Sequence, residues 1–245
     1  MAMPYIYCII AISMKKILQF DHIFIWVKKD APEIEIFKKA GFTGIISGVH
    51  KGQGTAGKYI FFLNFYIELL YISDQTEALN NLDNFGCNYI KRSKWCQNKS
   101  SFLGLGLKMT SFDKKNIPFS YKEYKSSWMR DHGLFMATNN QNLNDPVVFI
   151  LHPNMEFPNY NSIEEMLTDN KPHDFKENHI HDNGIKTLTS YKIITTSSSE
   201  MIESLAENGI NIEKGKEEKL ELTFDNNMKN KEIDLKPDFP FVIKY

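Results

Sequence analysis

Between Phe20 and Ile72 the chain reads as strand, helix, glycine loop and two further strands in close succession. FDHIFIWV opens the stretch, EIEIFKKAGF and GVHKGQGT follow, and KYIFFLNFYIELLYIS closes it. Each end places one ionisable residue in an otherwise apolar strand, His22 in the first and Glu68 in the last. Burying such a group alone is costly, so each needs a partner, a metal or water. In the first strand Asp21, Ile23, Ile25 and Val27 alternate with His22, Phe24, Trp26 and Lys28, the period that puts neighbours on opposite faces. Both faces are largely apolar. A sheet covered on one side and closed around a pocket on the other gives that reading.

The helix after this strand starts at Ala31-Pro32-Glu33 and ends at Gly41, with Ile34, Phe37 and Ala40 at helical spacing. A second helix is expected from Asp74 to Gly86, and KRSKWCQNKSS after it reads as a polar loop. From Ser101 the pattern resumes more weakly, with SFLGLGLKMTS, SYKEYKSSW, HGLFMATNN and DPVVFILHP as strands and no well-marked helix. Residues 154–184 form a connection, in which SIEEMLT is a helix start capped by Ser162. Its histidines, His173, His179 and His181, lack paired cysteines or HExxH spacing and are expected to face solvent, with an adventitious metal site as the alternative. A third unit over residues 185–245 reads as strand, helix, then three strands ending in IDLKPDFPFVIKY.

Composition narrows the partners. Lys+Arg 29 against Asp+Glu 30 gives a formal charge of -1, so no global basic field draws the chain to nucleic acid or an anionic membrane. A small molecule or a protein is the expected partner. Cys8, Cys87 and Cys96 are odd in number and form no CxxC, which fits a reducing, cytoplasmic setting better than a disulfide framework. The apolar run in residues 1–18 lacks a basic leading segment and is shorter than the roughly 20 residues a spanning helix needs. Translation from Met14 is the expected reading; an N-terminal strand and a short inverted anchor are the alternatives.

Repeated βαβββ units, with DHI in the opening strand and a glutamate in ELL of the fourth, resemble the vicinal oxygen chelate superfamily. GVHKGQGT, FFLNFYIELLYI, GLGLKM, WMRDHG and DPVVFILHPN resemble its glyoxalase-like branch more specifically. The resemblance covers Phe20 to Pro153 well and Ile185 to Tyr245 loosely. It implies an α+β fold in which residues 19–153 form two βαβββ units curving around a pocket, often with a divalent metal on its floor. It also implies pairing of units within or between chains, which includes a homodimer.

Carried over by position, the metal ligands are His22 and Glu68, chemistry suited to Zn, Mn, Fe or Ni. The second unit has Gly104 and Val148-Phe149 where its own ligands would stand. Without a metal, desolvation among aromatic neighbours would raise Glu68 into the range of a general base, with His50 as a second proton carrier. A buried hydrogen-bonded pair is the alternative for His22 and Glu68. Gln53, Gly54 and Thr55 follow His50 in a glycine loop whose amides are expected to face the pocket and hold an anion. An ordinary turn with positive-φ glycines is the alternative there. Arg130 beside Trp128 is the expected anion clamp, against a salt bridge to Asp131. The expected activity is that of a lyase, isomerase or dioxygenase on a small oxygenated substrate; a non-catalytic binding protein is the alternative.

Overall fold

The computed structural model describes residues 16–129 and 131–245. The readings placed on residues 1–15, including the start at Met14, and on Arg130 lie outside the described residues.

The first unit runs β1 (Leu18–Trp26), α1 (Ile34–Lys39), β2 (Ile46–His50), β3 (Thr55–Phe61) and β4 (Tyr66–Ile72). Helix α2 (Gln75–Phe85) follows, its N-cap Asp74 accepting from the Glu77 amide and Gly86 closing it at φ 75°. The segment expected to be a polar loop instead holds α3 (Tyr89–Arg92) and α4 (Trp95–Asn98). Arg92 is fully buried there, donating to the carbonyls of Asp145 at 2.7 Å and Asn142 at 3.0 Å. Those acceptors lie some fifty residues downstream, so local polarity misreads the segment.

The second unit supplies β5 (Leu103–Met109), β6 (Tyr121–Tyr124), β7 (Leu134–Ala137) and β8 (Val147–Leu151), with only a 3-10 turn at Lys114–Asn116 between β5 and β6. The eight strands form one sheet in the order β2-β3-β4-β1-β5-β8-β7-β6. Its centre is the antiparallel pair β1 and β5, flanked by β4 and β8, each parallel to its own unit's first strand. The α+β architecture with a curved mixed sheet is therefore as the sequence suggested.

The connection contains α5 (Ile163–Thr168) and α6 (His173–Glu177), with the Ser162 hydroxyl capping α5 as expected. The last unit holds β9 (Leu188–Thr195), α7 (Glu200–Glu207), β10 (Ile212–Lys214), β11 (Lys219–Phe224), β12 (Glu232–Asp234) and β13 (Phe241–Lys244). Here the pairing departs from that of the first unit. The expected closing strand is split into β12 and β13, and the sheet order β10-β9-β11-β13-β12 puts the opening strand in the interior. Pro237 and Pro240 lie in the intervening segment, where each lacks the N–H a sheet ladder requires.

Strand alternation divides the core in two. Ile23 and Ile25 of β1, Leu103 and Leu105 of β5, and Ile67 and Leu69 of β4 face one cluster, which α1, α7 and the last unit cover. Phe24, Trp26, Leu70, Phe149 and Leu151 face the other side, where the sheet curves around a cavity.

Candidate functional site

The cavity has a volume of about 130 Å³ and two unlike walls. The first unit supplies His22, His50, Gln53, Tyr59, Tyr66 and Glu68. Opposite them, Leu134, Met136, Phe149 and Leu151 of the second unit are all apolar.

His22 and Glu68 lie on adjacent parallel strands, in register through the His22–Tyr66 and Phe24–Glu68 pairs, and both face the cavity. Glycines across the ladders make the room. A Cβ at Gly106 would sit 2.3 Å from the His22 ring, and one at Gly57 would sit 2.3 Å from a Glu68 carboxylate oxygen.

Asp21 departs from simple alternation. The β1–β5 register shifts between Phe20 and His22, and this bulge lets the Asp21 carboxylate meet the His22 Nδ1 at 2.7 Å. A carboxylate only accepts, so Nδ1 is the donor in this contact. Asp21 is itself fixed by the Phe157 amide at 2.8 Å and Lys108 Nζ at 3.7 Å. Tyr66 stacks on the His22 ring at 4.2 Å. Sequence reasoning placed Tyr66 beside Glu68 but missed Asp21 and Tyr59, though the DH pair was a visible signal.

Glu68 is buried and its Oε1 has no hydrogen-bond partner. Burial pushes its carboxyl up to about 8, against the downward pull of the Tyr59 hydroxyl. His50, whose Nε2 lies 3.5 Å from Oε1, moves the other way: burial, then the nearby His22, lower it to about 4. The two therefore meet at pH 7 as neutral groups and not as an ion pair.

Behind His50 a chain of contacts continues. Its Nε2 lies 2.7 Å from the Tyr59 hydroxyl and its Nδ1 2.9 Å from the Thr55 hydroxyl. Gln53 donates to that same hydroxyl at 3.0 Å and accepts from the Trp128 indole at 3.2 Å. Thr55 thus sits behind His50 and is fully buried, outside the lining. The glycine loop turns its amides elsewhere than expected. Gly52 and Gly54, at φ 81° and 79°, donate to the Glu77 carboxylate of α2 at 2.7 and 3.1 Å.

The histidines of the connection also differ from expectation. His173 is exposed, but His179 is buried among Phe61, Phe157 and Phe175, and His181 is buried between the Thr43 amide and the Phe61 carbonyl. Aromatic residues far apart in sequence assemble this enclosure around a polar-looking segment.

A family model described as a glyoxalase-like domain matches residues 20–209. The chain belongs to the glyoxalase-like domain family. This family lies in the vicinal oxygen chelate superfamily. No curated protein matches this glyoxalase-like chain. A hypothetical protein from Staphylococcus aureus, solved by crystallography, is 10% identical with a TM-score of 0.52, over 93% of this chain and 99% of that one. That likeness is one of fold alone.

Members of the superfamily often use a divalent metal. The donor set of this glyoxalase-like chain does not fit one. Among the described residues no three His, Cys, Asp or Glu side chains converge, whereas catalytic metals typically have three protein ligands. Both His50 nitrogens are engaged by hydroxyls, which leaves His22 and Glu68.

Proposed function

We propose that this glyoxalase-like protein binds a compact, ring-sized oxygenated molecule and moves a proton on it without a resident metal, as an isomerase or lyase. The observation that carries the reading is the pairing, in one small pocket, of an Asp21-oriented imidazole with a buried carboxyl that lacks a partner at Oε1. Its volume of about 130 Å³ is close to the roughly 150 Å³ that holds a benzene ring. The polar wall receives the oxygenated edge of the ligand and the apolar wall its hydrocarbon side.

In this reading His22 Nε2 removes a proton from the carbon next to a carbonyl, and protonated Glu68 gives its proton to the carbonyl oxygen, leaving an enol. Return of a proton at the neighbouring carbon gives the isomer; loss of a β-substituent gives the elimination product. A buried carboxyl held protonated beside an oriented imidazole suits such an exchange. Asp21 stabilises the imidazolium formed, and Tyr59 with His50 faces the carboxylate formed.

The apolar second-unit wall also supports a binding protein in which neutral Glu68 only donates a hydrogen bond. The test is proton exchange in deuterium oxide. Ring-sized hydroxyketones and enones that bind by calorimetry are incubated with the untagged protein after dialysis against a chelator. Deuterium entering at the carbon next to the carbonyl, and not doing so with His22→Gln, is the expected result. Ligand bound but never exchanged would leave the binding reading, and exchange abolished by the chelator and restored by a divalent ion would return the metal.

A further inference from the structure

The hydrogen-bond chain behind Glu68 has one end whose direction is not free. An indole N–H can only donate, so Trp128 forces the Gln53 oxygen to be its acceptor and turns the Gln53 amide nitrogen towards Thr55. The Thr55 hydroxyl receives that donor, and its own proton, fully buried, has His50 Nδ1 at 2.9 Å as its acceptor among the described residues. His50 must then carry its proton on Nε2, directed at the Tyr59 hydroxyl 2.7 Å away. Tyr59, having accepted from His50, gives its proton to Glu68, the contact that lowers the carboxyl.

We propose that Trp128, through Gln53 and Thr55, fixes His50 as the Nε2–H tautomer and polarises the whole chain towards Glu68. Trp128, Gln53 and Thr55 are then positioning residues, and His50 is a donor with no free lone pair to act as a base. The cost of reversal supports this direction: were His50 to donate from Nδ1, the Thr55 oxygen would accept twice and its own fully buried proton would find no acceptor among the described residues. With the Tyr59 hydroxyl donating to it, Glu68 is stabilised when it has given up its proton, the state that follows transfer to the ligand. That consequence rests on the function proposed above; the tautomer does not.

The test reads the tautomer in ligand-free protein by long-range proton–nitrogen correlation of the histidine rings, with His50→Gln assigning the signal. Wild-type His50 is expected to show a protonated Nε2 and an unprotonated Nδ1. Gln53→Glu reverses the chain by design, because a carboxylate accepts from both Trp128 and Thr55, so Thr55 can no longer donate to His50. The proton is expected to move to Nδ1, and Thr55→Ser, which keeps the hydroxyl, should stay as wild type. Should Gln53→Glu fail to fold, Trp128→Phe frees the amide to rotate, and the single tautomer is expected to give way to both. A wild-type proton on Nδ1, or a tautomer indifferent to whichever of these two variants folds, would overturn the inference whether or not the protein turns over any substrate.

Discussion

Replacing Glu68 by glutamine removes one titration and leaves the shape. Folded, Glu68 keeps its proton up to about pH 8; unfolded, it loses it near 4.5. Between those values the folded state holds the extra proton, so stability falls as pH rises. That window spans about 3.5 pH units, and at about 1.4 kcal/mol each the loss from this group approaches 5 kcal/mol. Other groups overlap it, among them His179 and His181, which burial lowers from 6.5. His50, lowered from 6.5 to about 4, makes stability rise with pH across that interval, and Glu218, raised from 4.5 to about 7, makes it fall. The wild-type profile therefore mixes several slopes, and only the difference between Glu68→Gln and wild type isolates one. Urea denaturation from pH 5 to 9 should show the variant gaining relative to wild type by about 1.4 kcal/mol per pH unit until about pH 8, then no further. A difference that stays flat across the range would refute the burial argument and with it the reading of Glu68 as an acid at neutral pH.

Asp21→Asn should leave ligand affinity nearly unchanged while cutting proton exchange by about 10- to 100-fold, since an amide no longer fixes the His22 tautomer; paired calorimetry and exchange rates check this. Gly106→Ala puts a Cβ 2.3 Å from the His22 ring and should cost about 1–3 kcal/mol in denaturant unfolding, with ligand binding lost as the ring is displaced. Asn81 donates to the carbonyls of Gly52, Gln53 and Glu77 and accepts from Tyr124, so Asn81→Ala strips a buried pin from the loop that carries Gln53. Loss of about 1–3 kcal/mol, with faster amide exchange at Gly52 and Gly54, is the expected outcome.

Features that depend on neighbours in sequence were legible without a structure. Helix α2 begins at its Asp74 cap and ends at Gly86 because capping is local chemistry. The alternation of β1 put His22 with Phe24 and Trp26, and that face is the cavity wall. Long-range effects were not legible. Asp21 reaches the His22 ring only because β1 bulges against β5, more than eighty residues later. Arg92, His179 and His181 look solvent-bound in polar stretches, yet each is buried by residues that only the fold brings near. The loop amides depend on Glu77, a residue on the next helix whose side chain reaches back.

The second unit's lack of ligands is more than a loss. Gly104 and Gly106 accommodate the first unit's rings: a Cβ at Gly104 would meet Phe24 at 2.0 Å, and one at Gly106 would meet His22 at 2.3 Å. Phe149 then packs over both, stacked on Phe24 at 6.4 Å and tilted against His22 at 5.4 Å. Any side chain added to these glycines to restore a ligand would first push aside the rings that build the pocket. The two halves of the site are thus adapted to each other, one presenting ionisable and hydroxyl groups and the other excluding water from them. Such exclusion is what raises Glu68 and lowers His50. The apolar wall therefore helps set the protonation of both groups, because opening it to water would return them towards their ordinary values.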